Sequence, residues 1–550
     1  MQSKSLCRPA RRTRRLIVVA SLATAAFLMG AVPSLASASS FNPSPTTAAQ
    51  VRKAPKLRPE TRTLAQKRLM RRGYLVPHQA QYDRRKARIT RRAASSEALT
   101  TPISTALTPP STLRAWQGIN DTDTAPPDET SSVGTTRYIE TVNDRFAIYN
   151  KTSNAPMSTG TLNSLWGTGR ASIFTTDPQI MWDATTNRFY YAGLIIPSPS
   201  HNVEVFGFSK TASPNSAADF CHYFYDFGKL LPDYPKLGDS RFFGEIGSNV
   251  FNRSGSFVGS DLAAFKKPPA GSGCPTTSSL RITDARPLFL PGRTRAFTPV
   301  PANEIDNDAV GWTVSTAVTA SSTKLGLFKV TRSSTGAPVI QRTGSSAAVP
   351  RYTVPPNAPQ KGSVHRIDTN DGRNTQAVAA VDPGHHNKLA LWTQHTVKGG
   401  AGAQVRWYEL NPAAHSVLQK GTVTSGSLFE FNGAISPNRQ VNGAIKKGGN
   451  AMLMNFNSSS ARTFPSIKMV SKVGAAAQSG QVSVLNGRHP VGGFDCDATA
   501  PCRWGDYAAA TPDPSTANRI WNVSQYGNGT GNFSNRPPST SKTWNFIARP

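Results

Sequence analysis

A turn followed by an apolar strand recurs along the chain, and this recurrence constrains the fold more than any other feature. In each copy an Asp opens a short loop, an Asn followed by a cation closes it, and an aromatic or aliphatic strand comes next. The copies are DPQIMWDATTNRFYYAGLI from Asp177, AVDPGHHNKLALWTQ from Ala380 and TPDPSTANRIWNVS from Thr511. Asp accepts hydrogen bonds from nearby backbone amides, and Asn tolerates the left-handed backbone that re-enters a strand. Together these units predict a repeated antiparallel sheet.

The composition of the chain agrees with an all-β fold. Its 550 residues include 43 Gly and 42 Pro, which favours turns and short strands over long helices. Propeller blades have about 40–50 residues each, so residues 113–550 would hold seven with insertions, or eight. Two or three β-sandwich domains are the alternative, but no clear linker interrupts the signals. We therefore predict a β-propeller of about seven four-stranded blades at 113–550. The tryptophans expected to fill the cores between blades are Trp182, Trp312, Trp392, Trp407 and Trp504.

The first residues predict a signal peptide over 1–38. An arginine-rich start precedes an apolar stretch at 16–31, and Ala36-Ser37-Ala38 offers small side chains for cleavage. An uncleaved anchor and a twin-arginine export signal at Arg14-Arg15 are the alternatives. We expect a secreted, extracellular protein, either free or associated with the cell surface.

The cysteines outside this leader number four, an even count that favours two disulfides in an exported chain. They are Cys221, Cys274, Cys496 and Cys502. Of the three possible pairings, we expect Cys221–Cys274 and Cys496–Cys502. The spacing does not cluster the cysteines as a zinc site requires.

Residues 39–112 form a basic, low-complexity tail or pro-segment. From 52 to 92, fifteen Lys or Arg residues face only Glu60 and Asp83, a net charge of +13. Such a segment is expected to be largely disordered, with at most a short helix over 64–75. It would attach the protein to acidic wall polymers or a membrane surface, or serve only as an export spacer. Its few aromatic residues argue against specific nucleic-acid binding.

Several segments resemble a family of secreted bacterial β-propeller proteins described as sialidase-like in fold. They are APPDETSSVGTTRYIETVNDRFAIYNK, DPQIMWDATTNRFYYAG, PDYPKLG, AGAQVRWYEL, FPSIKMV and RWGDYAAATPDP, between about 117 and 527. The resemblance implies the fold but little chemistry, since these proteins largely lack an assigned activity. The chain departs from the family at Asp239-Ser240-Arg241, which follows PDYPKLG, and the Asp-box repeat of sialidases is not recognisable. Architecture does not by itself specify function.

Polar residues in these segments supply the candidate binding site. Asp233, Tyr234 and Lys236 of PDYPKLG are interpreted as lining a carbohydrate pocket, or else as a proline-bounded turn. Arg503 and Asp506 would meet at the channel mouth if Gly505 forms a bulge in a strand, or else form a structural ion pair. Arg366, in SVHRIDTNDGR, completes the set.

The metal signals are weak. Asp368, Asn370 and Asp371 resemble part of a calcium loop but lack its downstream Glu, so an Asp-Gly hairpin turn is the alternative. No carboxylate is spaced to join the histidines of the turn region, which are interpreted as surface residues: His385, His386 and His395. We therefore expect no cofactor, with calcium as the alternative, and no metal ligands.

The sequence also lacks a recognisable catalytic pattern. Nothing pairs the available glutamates, which are Glu204, Glu245, Glu304, Glu409 and Glu430. No Gly-x-Ser-x-Gly elbow and no papain-like Cys context is present. We predict a monomeric, non-catalytic binding protein for an extracellular glycan, a cell-wall polymer or a protein partner. The alternative is a sialidase-like glycoside hydrolase or polysaccharide lyase, which would need Arg and acidic side chains to converge in one axial pocket.

Overall fold

The strands of the chain pair into seven sheets that follow one another around a ring. The structure is a computed structural model that describes residues 44–46, 75–93, 109–119, 125–169, 173–198, 201–319, 321–440, 448–492, 496, 501–528 and 541–550. The predicted signal peptide lies outside these residues, as does the helix predicted over 64–75 except for its last residue. Among the described residues, no helix combines the length and apolarity needed to span a bilayer.

Three elements among the described residues precede the first complete blade. They are β1 (Ser44–Thr46), α1 (Gln79–Ala93) and β2 (Ser111–Gln117). The described part of the tail thus contains a helix of 15 residues, and the strand that closes the ring starts two residues before the predicted boundary at 113.

Blades 1 to 3 are antiparallel sheets whose strands follow one another in chain order. Blade 1 consists of β3 (Thr130–Val133), β4 (Arg137–Val142), β5 (Arg145–Asn150) and β6 (Pro156–Thr161), and is followed by α2 (Leu162–Leu165). Blade 2 consists of β7 (Phe174–Asp183), β8 (Arg188–Ser198), β9 (His201–Ser209) and β10 (Phe220–Gly228), with β1 paired to β10. Blade 3 consists of β11 (Leu231–Asp239), β12 (Phe243–Phe251), β13 (Phe257–Lys266) and β14 (Thr283–Ala285).

Blades 4 and 5 carry additional short strands. Blade 4 consists of β15 (Phe289–Leu290), β16 (Thr294–Pro301), β18 (Gly311–Ala317), β19 (Ser321–Arg332), β20 (Pro338–Ile340) and β21 (Ser345–Thr353). Blade 5 consists of β22 (Asn374–Asp382), β23 (Lys388–Gly399), β24 (Gly402–Asn411) and β25 (Ser416–Val423), with β17 (Asn303–Glu304) added in parallel to β22. Short 3-10 helices span Ala217–Asp219, Thr277–Leu280, Pro291–Arg293 and Pro383–His385.

The ring closes in blade 7, which combines the two ends of the folded region. Blade 6 consists of β26 (Phe429–Pro437), β27 (Ala451–Ser460), β28 (Thr463–Val473) and β29 (Val482–Leu485). Blade 7 consists of β30 (Ala509–Pro512), β31 (Ile520–Gly527) and β32 (Ser541–Arg549), and β2 pairs antiparallel with β32. The innermost strands β3 and β30 also contact each other. This arrangement confirms the predicted seven-bladed β-propeller.

Apolar cores lie between neighbouring blades, as expected for sheets stacked around an axis. All five predicted tryptophans are buried, and the rings of Trp392 and Trp407 stack 6.1 Å apart. Both expected disulfides are present, Cys221–Cys274 and Cys496–Cys502.

Candidate functional site

Charged and aromatic side chains from five blades meet on the propeller axis. The hydroxyl of Tyr234 in blade 3 donates to the carbonyl of Asp506 in the blade 7 loop over 3.0 Å. The guanidinium of Arg373, which precedes β22 of blade 5, lies 4.4 Å from the Tyr234 ring centroid. These blades are not neighbours in the ring, so such contacts cross the central channel. We call this group the channel-mouth cluster; its members are Asp128, Asp177, Asp233, Tyr234, Lys236, Asp371, Arg373, Arg503, Asp506 and Tyr507.

Bulges in the innermost strands turn these residues toward the axis. The pairing with the next strand of the blade shifts register once in each of β7, β11 and β16. At each shift a residue with left-handed backbone is followed by a proline. These residues are Asp177 (φ +57°), Tyr234 (φ +60°) and Thr298 (φ +54°). Proline cannot donate to the ladder, so it is suited to a bulge, and a bulge redirects neighbouring side chains. The amide of Tyr234 donates to the Asp177 carboxylate over 3.1 Å. A side chain of the neighbouring blade therefore accepts the backbone hydrogen bond that the bulge removes from the strand pairing.

Lys236 is the unusual member of the cluster. Its side chain is buried, and its Nζ has no hydrogen-bond acceptor among the described residues. The ammonium lies 3.2 Å from the Tyr507 ring centroid and 4.3 Å from that of Tyr234. Burial lowers the pKa of Lys236 well below its usual value, against the opposing effect of Asp128. The ammonium is therefore held by the faces of two rings instead of by an anion.

The two arginines each have a carboxylate partner within the cluster. Arg373 binds both oxygens of Asp371, at 2.8 and 2.7 Å, and Arg503 binds Asp506 at 2.7 Å. Sequence reasoning placed Arg503 and Asp506 on one strand with a bulge at Gly505. That placement is wrong, because 503–508 is a loop before β30. Arg503 and Asp506 lie three positions apart in this loop and form their ion pair within it.

Burial dominates the electrostatics of the carboxylates. It raises the pKa of Asp233 and of Asp128 well above the usual value, and the nearby carboxylates raise both further. The pKa of Asp506 is also raised by burial, although Arg503 opposes this. Five carboxyl groups face three cations in the cluster, so repulsion between carboxylates favours proton retention or the binding of hydrogen-bond donors.

Five of the six predicted binding residues lie in this cluster. They are Asp233, Tyr234, Lys236, Arg503 and Asp506. Arg366 is placed differently: its guanidinium donates to the carbonyl of Asn357 over 3.1 Å, and its own carbonyl accepts from the amide of Cys502.

Sequence reasoning missed Asp128, Asp177, Arg373 and Tyr507. A second recurring pattern could have found Asp128 and Asp177. Each of them lies next to a proline near the start of an innermost strand, as Tyr234 does. Arg373 and Tyr507 have no comparable local signal.

Helix α1 covers one side of the cluster. Arg373 donates to the carbonyl of Leu75 over 3.2 Å, and Lys86 pairs with Asp368 at 3.2 Å and donates to Thr369. A cavity of about 120 Å³ remains between α1, blade 4 and the loop that carries Arg373. The predicted calcium-loop carboxylates are thus both in ion pairs, and their loop enters β22 instead of forming a hairpin.

Removing the Lys86 ammonium is expected to release α1. Lys86→Ala leaves the buried Asp368 without its cation, which costs about 3–5 kcal/mol for such a pair. Amide exchange within 79–93 should therefore accelerate by at least about 100-fold while the blades stay protected. Hydrogen-exchange mass spectrometry measures this, with Arg84→Ala on the exposed face of α1 as the control. Equal exchange in both variants would contradict the contact.

The structure corrects the interpretation of His395 as a surface residue. Its imidazole is fully buried, with Nδ1 3.0 Å from the carbonyl of Gly372 and Nε2 3.2 Å from the Tyr408 hydroxyl. Burial lowers the pKa of His395 to about 3. Alternation along β23 places this ring in the sheet core, which the isolated residue type does not reveal.

His395 should make the protein less stable in mild acid. In the unfolded chain His395 is protonated below its pKa of 6.5, whereas in the folded chain it is protonated only below about pH 3. Between these values the unfolded state binds one more proton than the folded state. The free energy of unfolding therefore falls as the pH falls through this window. At pH 5 the loss is about 2 kcal/mol. His395→Gln, which can still donate and accept, should remove this loss in urea titrations at pH 7 and pH 5. The same pH dependence in His395→Gln and in the exposed control His489→Gln would refute the assignment.

The glutamates considered for catalysis are not members of the channel-mouth cluster. They lie within the sheets and are buried: Glu204, Glu245, Glu304, Glu409 and Glu430. Glu204, for example, accepts from the Ser248 hydroxyl of the next blade over 2.5 Å.

The fold and this site define the protein as a seven-bladed β-propeller with a buried, charged cluster at one mouth of its channel. No family model matches the chain, and no curated protein matches it.

Among solved structures, the chain is similar to a mutant of the apocarotenoid oxygenase of Synechocystis (9% identity, TM-score 0.36, 68% of this chain and 73% of that chain). It is also similar to the extracellular domains of Drosophila Semaphorin 1b (8%, 0.34, 80% and 87%) and to the WD40 domain of Toxoplasma gondii coronin (8%, 0.38, 80% and 86%). Similarity at this level carries no information about function, and the fold assignment rests on the strand pairing above.

Proposed function

We propose that this chain is an exported β-propeller that binds a hydroxyl-rich, uncharged glycan at the channel-mouth cluster. The observation that carries this proposal is Lys236, whose buried ammonium has no hydrogen-bond acceptor among the described residues. A buried donor without an acceptor is costly, and a ligand oxygen would supply the missing partner. The basic tail of 39–112 would attach the protein to anionic polymer at the cell surface.

The charge balance of the cluster favours an uncharged sugar over an acidic one. Arg373 and Arg503 are each paired with a carboxylate, so they do not form an open grip for the carboxylate of an acidic sugar. Sugar hydroxyls can donate to Asp233 and accept from Lys236, and carboxylates accept such bonds readily. Another anion would add repulsion to a cluster that already has an excess of carboxyl groups.

The experiment passes a mixed pool of neutral and acidic oligosaccharides over immobilised protein comprising residues 39–550. Mass spectrometry identifies both the retained and the released species. Neutral species retained intact would support the proposal, and Lys236→Met should abolish their retention while Lys420→Met, on the exposed face of β25, should not. Passage of the whole pool unchanged would overturn the glycan proposal and favour a protein partner, and retention by Lys236→Met would overturn the assignment of the site.

A glycoside hydrolase or polysaccharide lyase is the second candidate, because Arg and Asp side chains do converge on the axis. The raised pKa of Asp233 is a property of a general acid. Oligosaccharides that emerge shortened, or with a new double bond, would replace the binding proposal with this one. Asp233→Asn should then abolish the change in mass.

A further inference from the structure

The Asp that opens the recurring turn has the same task in two of its copies. Asp183 accepts from the amide of Thr185 over 2.9 Å, and its carboxylate pairs with Lys267 at 2.9 Å. Asp513 accepts from the amide of Ser515 over 2.8 Å and pairs with Lys151 at 2.8 Å. Both lysines directly follow the third strand of the next blade. The turn carboxylate therefore ties neighbouring blades together through an ammonium.

The copy in blade 5 departs from this arrangement. Asp382 accepts from the amide of Gly384 over 2.7 Å, as the other copies do. The corresponding cation would be Lys472, near the end of β28, but its Nζ donates to the carbonyl of Gly474. The position taken by an ammonium in blades 2 and 7 is instead bordered by His385.

Two buried carboxyl groups and one imidazole face each other at this position. His385 Nδ1 lies 2.5 Å from Asp382 Oδ2 and 3.8 Å from Glu409 Oε1. The three ligand atoms all lie within 4.8 Å of one another. Asp382 and Glu409 are fully buried, whereas the His385 side chain is 31% exposed.

Glu409 points to a missing partner. Its Oε2 accepts from the Gln419 amide over 2.6 Å, but its Oε1 has no hydrogen-bond partner among the described residues. Two adjacent buried carboxylates repel each other unless a proton or a cation lies between them. Lys472 contributes only a more distant positive charge to both carboxylates.

We propose that Asp382 Oδ2, His385 Nδ1 and Glu409 Oε1 bind one divalent transition-metal ion, with zinc as the best fit. One imidazole nitrogen and two carboxylate oxygens suit zinc, whereas calcium takes six to eight oxygen ligands. The exposed edge of His385 provides the entry path and leaves a fourth position for water. In this blade the metal ion takes the place of the ammonium that Asp183 and Asp513 bind.

The prediction that no carboxylate is spaced to join His385 is wrong. Asp382, three residues earlier in the same turn, contacts the imidazole directly, and Glu409 reaches it from β24. In the pairing of β23 with β24, Glu409 is opposite Trp392, near the turn end of the strand. Only the antiparallel pairing brings it to the turn. This site and the channel-mouth cluster lie at opposite ends of β22, about 25 Å apart for a nine-residue strand.

Isothermal titration of the chelator-treated protein (39–550) with zinc chloride tests the proposal. Wild type and His386→Ala should each bind one zinc ion per chain, because the exposed His386 is adjacent to the site but is not a ligand. His385→Ala, a change on a partly exposed turn, should weaken zinc binding by at least about 10-fold.

Cobalt provides a second readout of the same site. Bound to wild type, it should give the visible absorption of a four-coordinate nitrogen–oxygen site, and this absorption should be lost in His385→Ala and in Glu409→Gln. Zinc binding that is equal in His385→Ala and wild type would overturn the proposal. So would a wild type that binds calcium but neither zinc nor cobalt, or none of the three metals.

Discussion

Replacing Lys267 by alanine is expected to lower the free energy of unfolding by about 3–5 kcal/mol, a large part of the stability of an ordinary domain. The Lys267 ammonium is buried between Asp183 at 2.9 Å and Asp239 at 2.6 Å. Its removal leaves two buried carboxylates facing each other without a cation. Urea unfolding followed by tryptophan fluorescence measures the loss.

The neighbouring Lys266 provides the matched control for this prediction. Its side chain is exposed at the end of β13, so Lys266→Ala should change the free energy of unfolding by less than about 0.5 kcal/mol. If the Lys267→Ala and Lys266→Ala variants unfold at the same urea concentration, the triad with Asp183 and Asp239 does not stabilise the contact between blades 2 and 3.

Replacing Glu140 by alanine is the second change with a large expected effect, because it acts where the ring closes. The buried Glu140 carboxylate in β4 accepts from four groups of the closing segments and of its own blade. These donors are the amide of Ile119 (3.1 Å), the hydroxyls of Thr543 (2.7 Å) and Tyr149 (2.9 Å), and the Asn545 amide (2.7 Å). Each buried donor left without an acceptor costs about 1–3 kcal/mol, so we expect a loss of about 3–5 kcal/mol after relaxation.

The location of the increased amide exchange distinguishes this prediction from general destabilisation. Amide exchange in β2 and β32 should increase first in Glu140→Ala, before exchange in blades 3 to 5. Glu140→Gln keeps one acceptor oxygen and should show a smaller loss. The prediction fails if exchange rises uniformly around the ring, or if Glu140→Gln is as unstable as Glu140→Ala.

The architecture was predictable because its signals are local. The turn units at Asp183, Asp382 and Asp513 use side-chain acceptors for nearby amides, which depend only on the residues within the loop. The pairing of Cys496 with Cys502 likewise depends on short separation along the chain. The recurring units indicated a repeated sheet, and the length of 113–550 compared with the length of one blade was then enough to predict about seven blades.

The candidate site was only partly predictable, because its members meet through long-range contacts. Asp233, Tyr234 and Lys236 occur together in β11, so sequence reasoning found them as a group. Arg373 joins them from blade 5, and nothing in its neighbours along the chain indicates that it lies against Tyr234. The strand predicted around Gly505 was wrong because the hydrogen bonds of that loop go to other blades, as when the Asp506 amide donates to Asp128 over 2.6 Å.

The sequence by itself determined the class of fold, the disulfide pairs and the composition of the basic tail. Turn chemistry, strand periodicity and charge are properties of short stretches. Only the tertiary structure decided which charges are paired, that the Lys236 ammonium lies over two tyrosine rings, and that α1 covers the cluster. Closing seven sheets around an axis brings together residues separated by hundreds of positions, and burial there changes their protonation and their need for partners.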